Sequence, residues 1–94
     1  MTAIKTAQAL KFFAAKIYCM YDGKEFPRKD LIEASDEKQA FAIATERAAT
    51  GHYSFDEIDE VDGDFYYSDC GGHVVKVERV TEISETTYNE MKNI

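Results

Sequence analysis

Ninety-four residues suffice for one domain with a single modest core, so neither disulfides nor a metal is needed to hold it together. Hydrophobic residues at 45% and aromatics at 13% argue against a disordered chain. The net charge of −7 argues against direct binding to nucleic acid, because affinity for phosphates comes from cations that neutralise them, and it suits a basic partner surface instead.

Residues 1–9 carry little pattern and are expected to be partly disordered. Lys5, Lys11 and Lys16 interrupt the apolar residues of the N-terminal stretch, so no signal peptide or transmembrane segment is expected there. With only Cys19 and Cys70, no secreted disulfide framework forms, and the chain reads as cytoplasmic with free thiols.

Leu10 to Tyr21 fits two spacings. Leu10, Phe13, Ala14 and Ile17 recur at helical intervals, whereas Phe13, Ala15, Ile17, Cys19 and Tyr21 alternate as in a strand. The aromatic content and the Asp22-Gly23 turn favour a strand leading into a hairpin, with the odd-numbered face in the core. Pro27 donates no ladder bond and belongs at the start of the return strand, about Arg28 to Ala34, with Ile32 and Ala34 facing inward.

A helix is expected over Asp36 to Thr50. Ser35 is placed to cap it, Asp36 and Glu37 favour its positive end, and Gly51 ends it. Ala40, Phe41, Ile43, Ala44 and Ala48 form its apolar stripe, and Arg47 lies within the same arc with its stem buried and its head at the edge. In residues 52–63, Ser54-Phe55-Asp56-Glu57 matches a capping box, and Phe55, Ile58 and Val61 recur every three residues, as in a short helical turn lying on the core. Asp62-Gly63 marks a turn, Phe65 to Tyr67 a short strand, and Asp69 to Gly72 a reversal. His73 to about Ile83 is the last strand, with Val75 and Val77 inward, and Ser84 caps a short C-terminal helix through Tyr88 and Met91. The expected fold is a single α+β domain over 1–94: a four-stranded, mainly antiparallel sheet in the order β-β-α-β-β-α, with the main helix packed on it.

Catalytic and metal motifs are weak. Cys70-Gly-Gly-His73 is half of a zinc spacing, and a full site would need Cys19 and His52 to converge on it. The acids between Asp56 and Asp64 have the oxygen chemistry for calcium but not EF-hand spacing, because Ile58 would fall at the first ligand position. No nucleophile–base–orienter set, phosphate loop or nicotinamide fingerprint is present, so neither an enzyme nor a cofactor is expected.

Charge is unevenly distributed. Residues 1–35 hold six Lys/Arg against four Asp/Glu, whereas 36–94 hold five against fourteen. Between Arg47 and Lys76 there is no Lys or Arg, yet Asp56, Glu57, Asp59, Glu60, Asp62, Asp64 and Asp69 all lie there. Charge runs are commonly solvated faces. This one is interleaved with Tyr53, Phe55, Phe65, Tyr66 and Tyr67, and aromatic anchors ringed by charge are typical of binding surfaces. Clustered carboxylates also imitate a phosphate backbone to a basic groove. The candidate partner-binding residues are therefore the seven acids together with Tyr66 and Tyr67, one of which strand alternation assigns to the core.

The chain's size, its net charge, the run Asp56-Glu57-Ile58-Asp59-Glu60-Val61-Asp62-Gly63-Asp64 and the lack of a catalytic motif together resemble the small acidic phage-encoded inhibitors of bacterial defence, the anti-CRISPR proteins in particular. The likeness is one of class and carries no family motif. It implies a stoichiometric, non-enzymatic blocker in the host cytoplasm that binds a CRISPR-type ribonucleoprotein effector and obstructs its nucleic-acid-binding surface, without membrane contact. The basic N-terminal third departs from a uniform nucleic-acid mimic. The alternative is a small structural or regulatory subunit that uses a sheet edge or the Ala-rich helix as its interface.

Overall fold

The computed structural model describes residues 10–54, 56–68 and 71–93. The chain order is β1 (Lys11–Tyr21), β2 (Lys24–Glu25), β3 (Arg28–Ala34), α1 (Glu37–Ala49), β4 (Glu60–Asp62), β5 (Phe65–Ser68), β6 (His73–Ile83) and α2 (Glu85–Lys92). The α+β class and the antiparallel sheet are as the sequence suggests. Among the described residues the sheet has six strands rather than four, because the return strand is split into β2 and β3 and a short β4 is added at the far edge.

β1 is the hub of the sheet. It pairs along one side with β3 and β2 and along the other with the whole of β6, which in turn pairs with β5, and β5 with β4. All pairs are antiparallel. The hairpin needs a positive φ at both Asp22 and Gly23, which aspartate and glycine supply at low cost. Between β1 and β6, Lys16 faces Arg79 while Ile17 faces Val77, so Glu78 is an extra residue that bulges from the ladder.

The two faces of the sheet differ. Phe13, Ala15, Ile17 and Cys19 of β1, Ile32 and Ala34 of β3, and Val75, Val77 and Val80 of β6 are buried beneath α1. The helix presents Ala40, Ala44 and Ala48, whose single methyl groups allow close approach to the sheet, and Ile43 packs beside them. Phe41 leaves the expected stripe and is 41% exposed. On the opposite, open face, α2 covers only one end, where Tyr88 lies 4.7 Å from Phe12 between ring centroids.

Capping corrects one expectation and supports another. Asp36, not Ser35, caps α1: its Oδ1 accepts from the Gln39 N–H at 2.7 Å, and the Ser35 N–H instead donates to Gln39 Oε1 at 2.6 Å. Ser84 caps α2 by accepting from the Thr87 N–H at 3.1 Å. The helical turn expected over 52–63 is absent among the described residues. Ser54 Oγ donates to the Asp56 carbonyl at 3.0 Å rather than capping a helix, and Val61, in β4, is 58% exposed. Phe55, Asp69 and Cys70, and the disorder expected over 1–9, lie outside the described residues.

Candidate functional site

The path into the acidic segment is set at the end of α1. Thr50 closes the helix, and Gly51 turns the chain with a φ of +82°. A Cβ at Gly51 would collide with the Asp56 carbonyl oxygen, so glycine is required both by the backbone conformation and by the close approach of the following loop. Tyr53 then anchors the loop. It is buried, and its hydroxyl donates to Asp30 Oδ2 at 2.6 Å. Arg47 Nη1 donates to the same oxygen at 2.7 Å, and Arg28 Nη1 donates to the Tyr53 carbonyl at 2.9 Å.

This cluster joins β3, α1 and the loop after α1. Burial, then the hydrogen bond and charge of Asp30, hold the Tyr53 phenol well above its ordinary range, and Arg47 opposes them. The hydroxyl therefore stays a donor, and the cluster acts as a structural clamp.

From this anchor the acids run out to the sheet edge. Asp56, Glu57 and Asp59 lie in the loop, Glu60 and Asp62 in β4, and Asp64 in the β4–β5 turn, and all six are exposed. β4 is the outermost strand. Its register puts Glu60 opposite Tyr67 and Asp62 opposite Phe65, so both carboxylates project on the open face. Val61, opposite Tyr66, projects toward the helix side. Asp64 lines a small gap on that side with Phe41, Thr45, Tyr66 and Val77. The acids thus wrap around one sheet edge rather than tiling one face.

Asp56, Glu57, Glu60, Asp62 and Asp64 form no ion pair among the described residues, where the ion pairs include Lys16–Glu78 and Arg47–Asp30. The short, charged β4 does not favour strand addition, so the edge offers side chains rather than backbone.

Alternation separates the two tyrosines proposed as anchors. Tyr66 packs half-buried against the core beneath α1, and Tyr67 lies half-buried on the open face beside Glu60. Only Tyr67 shares a face with carboxylates of the edge strand.

Of the residues of the zinc spacing, Cys70 lies outside the described residues, and Cys19, His52 and His73 have other neighbours. Cys19 is buried in the core, where burial raises its thiol pKa against the opposing charge of Arg28. His73 packs edge-on against Tyr21, and His52 packs edge-on against Tyr53. Among the described residues, no three His, Cys, Asp or Glu side chains come together to hold a metal ion, and no helix is long and apolar enough to cross a membrane.

The Asp30–Arg47–Tyr53 cluster and the open face were not found by sequence reasoning. Asp30 and Tyr53 are 23 residues apart, and only the strand register and the helix packing bring them together. Comparison with known proteins gives no relative: no protein-family model, curated protein or solved structure matches the chain.

Proposed function

We propose that the chain is a non-enzymatic inhibitor that docks its acidic edge on a basic surface of a nucleic-acid-handling protein complex and blocks nucleic-acid access, in the manner of an anti-CRISPR protein. The observation that carries this reading is the exposed rim of Asp56, Glu57, Glu60, Asp62 and Asp64 around β4, without cationic partners among the described residues. Five carboxylates held on a short edge present a field that complementary cations would relieve, and such complementarity speeds encounter and selects partners. Tyr67 and the exposed Val61 supply apolar contact beside that charge.

The test is capture of partners from nuclease-treated bacterial lysate, followed by titration of the partner's nucleic-acid binding. The reading expects a nucleic-acid-binding complex that is released by high salt and fully blocked at one-to-one stoichiometry. Blocking that persists after this chain is removed, or a partner without a nucleic-acid-binding surface, contradicts it.

A specific observation also favours the subunit reading. β5 pairs with β6 only through Ser68–His73 to Phe65–Lys76, so that residues 77–83 of β6 have no strand partner on that side among the described residues. Beside this free edge lies an open groove of about 660 Å³, lined by Lys38, Phe41, Ala42, Arg79 and Val80 among others. Phe41→Asp would break a salt-resistant assembly through this groove and would leave docking of the acidic edge intact.

A further inference from the structure

One row across the open face of the sheet carries charge of the opposite sign to the acidic edge. Lys29 of β3 pairs directly with Lys16 of β1, and Lys16 pairs directly with Arg79 of β6. Three cations therefore stand abreast on adjacent strands and span about 10 Å. Like charges in direct cross-strand register repel. Lys16 has Glu78 at 3.9 Å, whereas Lys29 and Arg79 have no ion pair among the described residues. Ala14, one position along the same face, is too small to fill the space beside the row. Lys16, Lys29, Arg79 and Thr81 thus border a shallow hollow of about 190 Å³.

The next row on this face is aromatic. Tyr18 pairs with Lys76, and Lys76 with Phe65. These three and Glu78 line a second hollow of about 250 Å³, with Lys76 Nζ lying 5.1 Å from the Phe65 ring centroid. Successive side chains on one face of a strand are about 6.6 Å apart, so the cationic and aromatic rows are separated by about the reach from a phosphate to its own base.

We propose that the open sheet face binds single-stranded nucleic acid, with Lys16, Lys29 and Arg79 holding the phosphate backbone and Tyr18 and Phe65 stacking a base. A cationic track beside aromatic platforms is the combination that single strands require, whereas an acidic peptide would use the cations and leave the aromatic row idle. The net charge of −7 does not prevent this, because it is a sum over the chain. The cations of β6, β1 and β3 lie two or more strands from β4, about 10 Å or more, which is at least one Debye length at 0.1 M salt, whereas Phe65 borders the acidic edge, opposite Asp62. The cationic row that holds the backbone is separate from the acidic edge, and its test uses only this chain and an oligonucleotide. Failure of the inhibitor reading therefore leaves it standing, and the reverse holds as well.

The test is fluorescence anisotropy of labelled oligo(dT) and oligo(U) of about 12 nucleotides, at about 0.1 M salt, against the whole chain. Binding is expected with a log–log salt slope of about −2, and Lys29→Ala or Arg79→Ala should each reduce that slope by about 0.7. Tyr18→Ala should weaken binding about tenfold. Glu78→Gln should strengthen it by removing the carboxylate between the two rows. All four side chains are exposed or half-exposed on the sheet surface, and circular dichroism of each variant confirms its fold. Several results would overturn the proposal: no binding by the wild type, an unchanged salt slope in both cation variants, or equal competition by polyglutamate.

Discussion

Tyr53 and Arg47 both donate to one oxygen, Asp30 Oδ2, at 2.6 and 2.7 Å. That shared acceptor ties the helix and the start of the acidic segment to the third strand. Asp30→Ala should therefore leave a guanidinium and a phenol without their partner. Hydrogen bonds to charged groups contribute about 1.5–3 kcal/mol each, and partial exposure of the ion pair places the expected loss at about 2 kcal/mol. Chemical denaturation would measure it, and Asp30→Asn should recover part of the loss.

Tyr53 also makes stability depend on alkaline pH. Its folded pKa is raised above the unfolded value of about 10, so its contribution is complete below that pH. Above about pH 10 the unfolded chain loses the proton first, and the contribution declines as pH rises toward the folded value. Tyr53→Phe should be less stable than wild type at neutral pH by about 1–2 kcal/mol, and the gap should narrow above pH 10. Thermal melts of both proteins between neutral and alkaline pH check this.

Gly51→Ala should destabilise the fold by more than about 1 kcal/mol, because its positive φ is strained for alanine and the new methyl meets the Asp56 carbonyl. Since that carbonyl begins the acidic run, the same variant should alter the exchange of amide hydrogens over residues 56–60. Hydrogen exchange measured by mass spectrometry reads both effects.

Ser68 is fully buried, and its Oγ has no hydrogen-bond partner among the described residues. Ser68→Ala should therefore be neutral or stabilising by up to about 1 kcal/mol, unlike most polar-to-alanine changes at structured positions. An increased midpoint in urea, or an unchanged one, is the expected result.

Much of the fold was legible because its signals are local. Phe13, Ala15, Ile17 and Cys19 alternate as expected and are buried under α1, whereas Tyr21, the last of the expected inward set, is 48% exposed at the strand end. The Asp22-Gly23 turn and the Ser84 cap likewise depend only on adjacent residues. The segment 52–63 was misread because its three-residue apolar spacing competes with strand alternation in too short a window, and pairing of Val61 with Tyr66 decided the outcome. Ser35 and Asp36 are both good caps, and only the backbone geometry chooses Asp36. For the acidic edge, residue types told which carboxylates are exposed but not that Glu60 and Asp62 would share the open face while Asp64, in the turn after β4, lines the helix side. The cationic row on the open face was hidden because Lys16, Lys29 and Arg79 are far apart in the chain and meet only through strand register.

The central claim is that the acidic rim around β4 is a binding surface. It is tested most directly by using wild type and an Asp56→Lys, Asp62→Lys, Asp64→Lys variant side by side as capture baits, with circular dichroism of both. All three positions are exposed, so the fold should persist. The account predicts that the variant loses the salt-sensitive nucleic-acid-binding partner retained by the wild type. Equal retention of that partner by both baits would contradict it and leave the rim a solvated edge.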